Sequence, residues 1–376
     1  MVSVKRLKWE NKRIHVSKSV AVVTSFLFVI LIFMLANLRE QQMDLYHAAL
    51  KNNVKKNDWI SQEDILQDKK QHSGGDQTTY DPNYQPRGVL DYPISLLRNI
   101  TEPIHPTDVI FYWHIPKAAG TSIKSLFTTC YKLARADQYP DRAESYSFIH
   151  NVYNVDTSTL PGIARAKKKG LIQRDVIDVV ASSYLHEGAA LFTDEHHGRV
   201  FVMMRHPVDV AVSLFHYPAS AVWERTYKEE WQNMTLMEYA LSTDPELRID
   251  NWMTRYLSRN IHNEITKDDI RLAKDIIRFK CLIGMVDEFE DSMNMFQSFF
   301  GLNVIDSDCV HNFISHNKLN SNKHGLIDPK SAEYKVIAKN SAIDIELYEF
   351  ARNQYQLQDE KLLKNRKSWN YRQNWH

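Results

Sequence analysis

Hydrophobic and polar positions divide the chain into three parts. Ser19–Leu38 runs S-V-A-V-V-T-S-F-L-F-V-I-L-I-F-M-L-A-N-L without a charge, long enough at about 1.5 Å per residue to span a hydrocarbon core of about 30 Å. From Arg39 to Thr107 the chain is polar and irregular. S-G-G-D-Q and Y-D-P-N-Y-Q-P-R break any period there, and only Asp58–Lys69 carries a short helical pattern. From Asp108 onward, apolar runs alternate with helical periodicity, the pattern of an α/β domain. The runs Val109–Ile115, Ile177–Ala181, Arg199–Met204 and Phe279–Met285 predict strands. Helices are predicted over Thr235–Ser242, Asp250–Tyr256, Lys267–Arg278, Phe289–Phe300 and Ser331–Gln356. No internal repeat is visible.

Charge orients the apolar span. Lys5, Arg6, Lys8, Lys12, Arg13 and Lys18 precede it against a single acid, Glu10, which places the N-terminus in the cytosol. A cleaved signal peptide has a shorter apolar region and a small-residue cleavage site, and F-M-L-A-N-L is a poor match to one. The expected layout is therefore a cytosolic tail (1–18), a transmembrane signal anchor (19–38), a lumenal stem (39–107) and a catalytic domain (108–376). Two sequons, at Asn99 and Asn233, follow the anchor. Three cysteines, Cys130, Cys281 and Cys309, permit one bridge and one free thiol. The net charge of +1 gives no global basic field for nucleic acid.

Asp108–Phe127, D-V-I-F-Y-W-H-I-P-K-A-A-G-T-S-I-K-S-L-F, reads as strand, small-residue loop and helix. Pro116 ends pairing because it has no N–H for a ladder. Thr121 and Ser122 are good helix N-caps. Ile123, Leu126, Phe127, Cys130 and Ala134 carry the spacing of one buried helix face. A helix start offers free N–H groups and the positive end of a dipole, so a phosphate fits there with Lys117 and two hydroxyls in reach. A tight turn without ligand is the bland reading. The order of lysine and glycine excludes a Walker A loop.

After the third run comes R-H-P-V-D-V-A-V-S-L-F-H-Y, Arg205–Tyr217. Arg205 stands at the carboxyl end of a strand, where ligands bind in open α/β sheets. Its planar fork suits phosphate. Pro207 fits the first position of a new helix, and Ser213 lies about two turns up it. A structural arginine beside a turn is the bland alternative.

The string H-I-P-K-A-A-G-T-S, His114–Ser122, resembles the 5′-phosphosulfate loop of Golgi membrane-bound carbohydrate sulfotransferases of the heparan-sulfate O-sulfotransferase type. Ala118 and Ala119 depart from the familiar P-K-T-G-G-T-[ST], and alanine lacks glycine's freedom at positive φ. Arg205–Tyr217 is similar to that family's 3′-phosphate motif, with His206 in place of the usual Asp or Asn. Cys281–Met293 and Ala342–Ala351 resemble its later motifs, so the likeness covers about 108–356.

The resemblance implies a P-loop-like three-layer domain, a central parallel sheet flanked by helices, behind the N-terminal transmembrane helix. It implies transfer of sulfonate from 3′-phosphoadenosine 5′-phosphosulfate (PAPS) to a carbohydrate hydroxyl in the Golgi lumen, without metal, and it leaves room for a homodimer. Lys117, Ala118, Ala119, Gly120, Thr121 and Ser122 are then the expected 5′-phosphate loop, with Lys117 catalytic. Arg205 and Ser213 are the expected 3′-phosphate site. The general base is expected just after the strand between the two motifs, where His186 is the first candidate and Glu187 the second. The usual Gly-His is absent there, with Ser182 and Ser183 nearby. His150, His196 and His197 are poorer placed. His311–His324 reads first as a solvated polar loop; the resemblance implies as the alternative that Lys318 or Lys323 approaches the 3′-phosphate. The tail Lys361–His376 mixes bases with Trp369, Tyr371 and Trp375. Other readings are a nucleoside-phosphate kinase, a glycan-binding protein on an inactive sulfotransferase fold, and an enzyme whose acceptor is a protein tyrosine.

Overall fold

Val109–Trp113 form β1, and every one of its residues is buried. A strand apolar on both sides is stable only with both sheet faces covered. It lies in a seven-stranded sheet of order β3-β4-β2-β5-β1-β6-β7. The other strands are β2 (Arg135–Asp137), β3 (Phe148–Ile149), β4 (Val152–Asn154), β5 (Val179–Ser182), β6 (Gly198–Met204) and β7 (Cys281–Met285). All pairings are parallel except β3 with β4. The structure, a computed structural model, describes residues 92–139, 142–217, 231, 233–242, 244, 247, 250–302, 308–316 and 327–358, all within the unit Asp81–His376.

The helices are α1 (Gly120–Thr129), α2 (Leu160–Lys168), α3 (Leu185–Ala189), α4 (Pro207–His216), α5 (Leu236–Leu241), α6 (Trp252–Ser258), α7 (Lys267–Lys280), α8 (Phe289–Phe300), α9 (Cys309–His316), α10 (Ala332–Asn340) and α11 (Ala342–Gln358). Among the described residues none is long and apolar enough to cross a membrane. The expected anchor 19–38, the stem up to residue 91, the Asp58–Lys69 helix, Lys318, Lys323 and the tail 361–376 lie outside the described residues.

The four long apolar runs are strands, as their composition requires. The sheet is also wider than those runs predict. β2, β3 and β4 are two or three residues long, too short to show a period. The expected helix Ser331–Gln356 is two helices that meet at Ser341, whose N–H still bonds back to Ile337. The helix after the first loop starts at Gly120 behind Ala119, with no side-chain cap, so Thr121 and Ser122 are first-turn residues and not caps. The His311–His324 loop is helical over its first residues, within α9. A disulfide joins Cys130, at the end of α1, to Cys309 at the start of α9, with Cα atoms 5.7 Å apart. Cys281 is a buried thiol.

The boundary at Asp108 also needs correction, because residues 94–107 pack into the domain. Ile94, Leu96, Leu97 and Ile100 are buried. Leu97 bridges to Gly198, where a Cβ would stand 2.6 Å from its side chain. Three charges hold this strap. Arg199 pairs with Asp108 at 2.8 Å and donates to the carbonyls of Asn99 and Glu102 at 2.8 and 2.9 Å, and also to that of Pro103. Lys280 donates to the Leu97 carbonyl at 2.6 Å, and burial pushes its pKa down to about 8.

Two outcomes follow. Trimming the chain to Asp108–His376 removes four buried apolar side chains, worth about 1.5–3 kcal/mol each. It also takes the carbonyl acceptors of residues 99–103 from Arg199 and leaves the Lys280 ammonium without the Leu97 carbonyl. That sum rivals the whole stability of a domain, so the trimmed chain will not refold while one starting at Asp81 will, as read by circular dichroism melts. The second concerns Asp178, which accepts from the Ala134 N–H at 2.6 Å and is pushed up to about 7 by burial. Between pH 4 and 7 the folded state then holds a proton that the unfolded chain has lost, so this group's contribution falls as pH rises through that window. Asp178→Asn will flatten the decline by roughly 4 kcal/mol at about 1.4 kcal/mol per unit, measured by urea unfolding at both pH values.

Candidate functional site

The connections leaving β1 and β6 run to opposite sides of the sheet. β1 leads through α1 to β2, beyond β5, and β6 leads towards β7 on the other side. A crevice therefore opens between their carboxyl ends, the place where parallel sheets bind ligands. Lys117 stands after one strand and Arg205 after the other. They meet: the Arg205 guanidinium donates to the Lys117 carbonyl at 2.8 Å. The Lys117 ammonium lies 3.9 Å from the ring centroid of Tyr217, just past the end of α4.

Lys117 and Ala119 both adopt φ 61°, with Ala118 between them outside the positive region. Such alternation turns successive N–H groups into one concavity, an anion nest. Among the described residues, the N–H groups of Gly120, Thr121 and Ser122 donate to no backbone carbonyl, and the Thr121 and Ser122 hydroxyls have no protein partner. Ala119 thus holds the left-handed conformation that suits glycine, at a cost of roughly 1–2 kcal/mol. Ala118 is buried beneath the loop. Gly120 is required by space, since a Cβ there would fall 2.1 Å from His114 Nε2.

Arg205 is half-buried and has no carboxylate partner among the described residues. Ser213 is buried on α4, and its hydroxyl has no protein partner among them. His206 caps α4 without a side-chain bond and turns its ring edge-on to Tyr348 of α11, 5.4 Å away. Among the described residues no group of three or more His, Cys, Asp or Glu is placed to hold a metal.

The segment after β5 is fastened to β1. Ser183 donates to the His114 carbonyl at 2.7 Å, and the Trp113 indole donates to the Ser183 carbonyl at 3.0 Å. Trp113 stacks on Trp252, which stacks on Tyr256. Both expected base candidates face α6. His186 is buried with Nε2 2.7 Å from the Leu257 carbonyl. A carbonyl only accepts, so Nε2 carries the proton, and burial lowers the ring's pKa. Glu187 pairs with Arg259 at 2.9 Å. His196 and His197 precede β6, at the amino-terminal end of the strand and away from Lys117 and Arg205, and His150 lies in the β3–β4 turn.

The sequence reading passed over His114, though it stands three residues before Lys117. Its half-buried ring abuts Gly120 and lies 5.7 Å from that of Tyr112. Burial, then Lys124 and Lys117, push its pKa down to about 4 against a smaller opposite pull from Asp137. Asp137 in turn holds Lys124 at 3.1 Å and Arg135 at 3.2 Å.

No family model and no curated protein matches the chain. Among solved structures it is similar to mouse sulfotransferase SULT7A1 complexed with PAP, with 14% identity and a TM-score of 0.29 over 73% of this chain and 90% of that one. That likeness is too distant to bear on the site.

The loop's geometry makes opposite forecasts for neighbouring positions. Gly120→Ala will cost about 1–3 kcal/mol through overpacking against His114, and His114→Ala in the same chain will recover most of it, giving a coupling above about 1 kcal/mol in a double-mutant cycle. Ala119→Gly will instead raise stability by up to about 1 kcal/mol, the relieved strain exceeding the added freedom of the unfolded chain. Thermal melts of the four variants check both.

Proposed function

We propose that this protein is a PAPS-dependent sulfotransferase acting on a carbohydrate hydroxyl, held in the Golgi membrane by its N-terminal segment with the α/β domain in the lumen. One observation carries the reading: two anion-binding elements, on loops from adjacent strands, are joined by the Arg205–Lys117 hydrogen bond. A single ligand with two separated phosphates suits that arrangement. The residues present fit such a ligand. Free N–H groups at the start of α1, with the Thr121 and Ser122 hydroxyls, suit a 5′-phosphate. The remaining N–H groups of Arg205, with Ser213, suit a 3′-phosphate. The Cys130–Cys309 bridge supports an oxidising compartment.

Sulfonate transfer is in-line displacement at sulfur, so positioning and charge stabilisation matter most. The Lys117 ammonium meets the charge that grows on the bridging phosphate oxygen as the sulfur–oxygen bond breaks. The loop N–H groups hold that phosphate in place. Arg205 distinguishes a 3′-phosphorylated adenosine from ordinary nucleotides. The acceptor oxygen bonds to sulfur and gives up its proton.

The full-length chain, supplied with labelled PAPS and a panel of desulfated glycans, will transfer label. Lys117→Ala will lower kcat by about 10²–10³-fold, the scale of losing a stabilising group at a developing charge. Arg205→Lys keeps the charge but loses the fork, and will weaken binding of 3′-phosphoadenosine 5′-phosphate by about tenfold or more in calorimetry. Undiminished transfer by Lys117→Ala would reject the mechanism. Binding of that nucleotide without any transfer would favour a glycan-binding role.

A further inference from the structure

Transfer to a hydroxyl needs a proton acceptor beside the sulfur donor, and both side chains expected for that role in the β5–α3 segment face α6. His186 is buried there with its Nε2 proton on the Leu257 carbonyl, which leaves Nδ1 as its one basic nitrogen, and Glu187 is paired with Arg259. His114 is placed differently. It follows β1 directly, its ring lies against Gly120 at the start of the anion nest, and its ring nitrogens have no hydrogen-bond partner among the described residues.

We infer that His114 is the general base of the transfer reaction, taking the proton of the acceptor hydroxyl. This rests on the sulfotransferase reading and adds to it the residue that completes the chemistry. In the step, the acceptor O–H proton passes to the basic ring nitrogen of His114 and the acceptor oxygen bonds to sulfur. The bond from sulfur to the bridging phosphate oxygen breaks, and its electron pair stays on the phosphate beside Lys117. The imidazolium then returns its proton to water.

Burial first, and then the charges around the ring, set its protonation. Lys117 of the loop and Lys124 of α1 oppose a proton on His114, while Asp137 at the end of β2 favours one. Tyr112 of β1 packs beside it as a neutral phenol, since burial raises its pKa. The ring is therefore neutral at working pH, as a base must be before it acts. A polyanion seated in the nest would offset the two lysines and raise the ring's basicity, so proton affinity would increase once the sulfonate donor is in place.

The test uses the full-length chain, labelled PAPS and chemically desulfated heparin and chondroitin as acceptors. His114→Asn and His114→Ala are expected to bind 3′-phosphoadenosine 5′-phosphate within about threefold of wild type and to lose about 10²–10⁴-fold in kcat, the usual range for a general base. The acid limb of the wild-type profile of kcat/KM against pH should vanish in His114→Asn. Added imidazole should restore turnover to His114→Ala in proportion to its concentration, which a purely structural role would not allow. Transfer by His114→Asn within threefold of wild type overturns the assignment and leaves the sulfotransferase reading intact, and a collapse confined to His186→Asn does the same. A wild-type chain that turns over no PAPS overturns both.

Discussion

The site depends on one hydrogen bond between two loops. Arg205 donates to the carbonyl of Lys117, and a bond from a charged donor contributes about 1.5–3 kcal/mol. Lys117 sits at positive φ, which costs a side-chain-bearing residue roughly 1–2 kcal/mol. The two magnitudes are comparable, so the arginine offsets the strain that shapes the loop. Positioning of one loop is thereby tied to that of the other.

The same pair of strands is fastened at its other end. Asp108 immediately precedes β1, and Arg199 is the second residue of β6; their ion pair is almost wholly buried. A buried pair of this kind adds little net stability, and breaking it is expensive. Its effect here is on register. With Val109 opposite Gly198 and Trp113 opposite Val202, the carboxyl ends of both strands come level and the two loops can touch. A slip of one residue would turn every core side chain of β1 to the wrong face and part Arg205 from Lys117. The strap 94–107 surrounds Arg199 with carbonyls, so a stretch with the composition of a spacer is part of the device that aligns the site.

Beyond β6, α11 braces the sheet. The Gln358 side chain bonds Ile283 N–H and the Cys281 carbonyl at 3.0 and 2.7 Å, covering an edge strand that would otherwise expose unpaired groups. Asp344 accepts from the N–H groups of Met253 and Thr254 at 2.7 and 2.8 Å, an anion at the start of α6. The Trp113–Trp252–Tyr256 stack carries that bracing back to the end of β1. Helices distant in sequence thus fix the walls around the crevice.

Local pattern determined a good deal unaided. β1, β5, β6 and β7 were legible because strands buried on both faces are continuous apolar runs, and α7 and α8 because amphipathic periodicity over ten or more residues has few competing explanations. The strand–loop–helix turn was legible from Pro116, Gly120 and the apolar spacing that follows, since backbone conformation at a helix start is local. Tertiary structure decided what local chemistry leaves open. β2, β3 and β4 are too short to carry a period and exist because neighbours supply their ladder bonds. The partner of Cys130 followed from packing, as did the commitment of His186 and Glu187 to α6. His114 looked like one more histidine until folding laid its ring against Gly120, because an imidazole's role is set by the groups around it, and those arrive from β2, α1 and β5 across long stretches of chain.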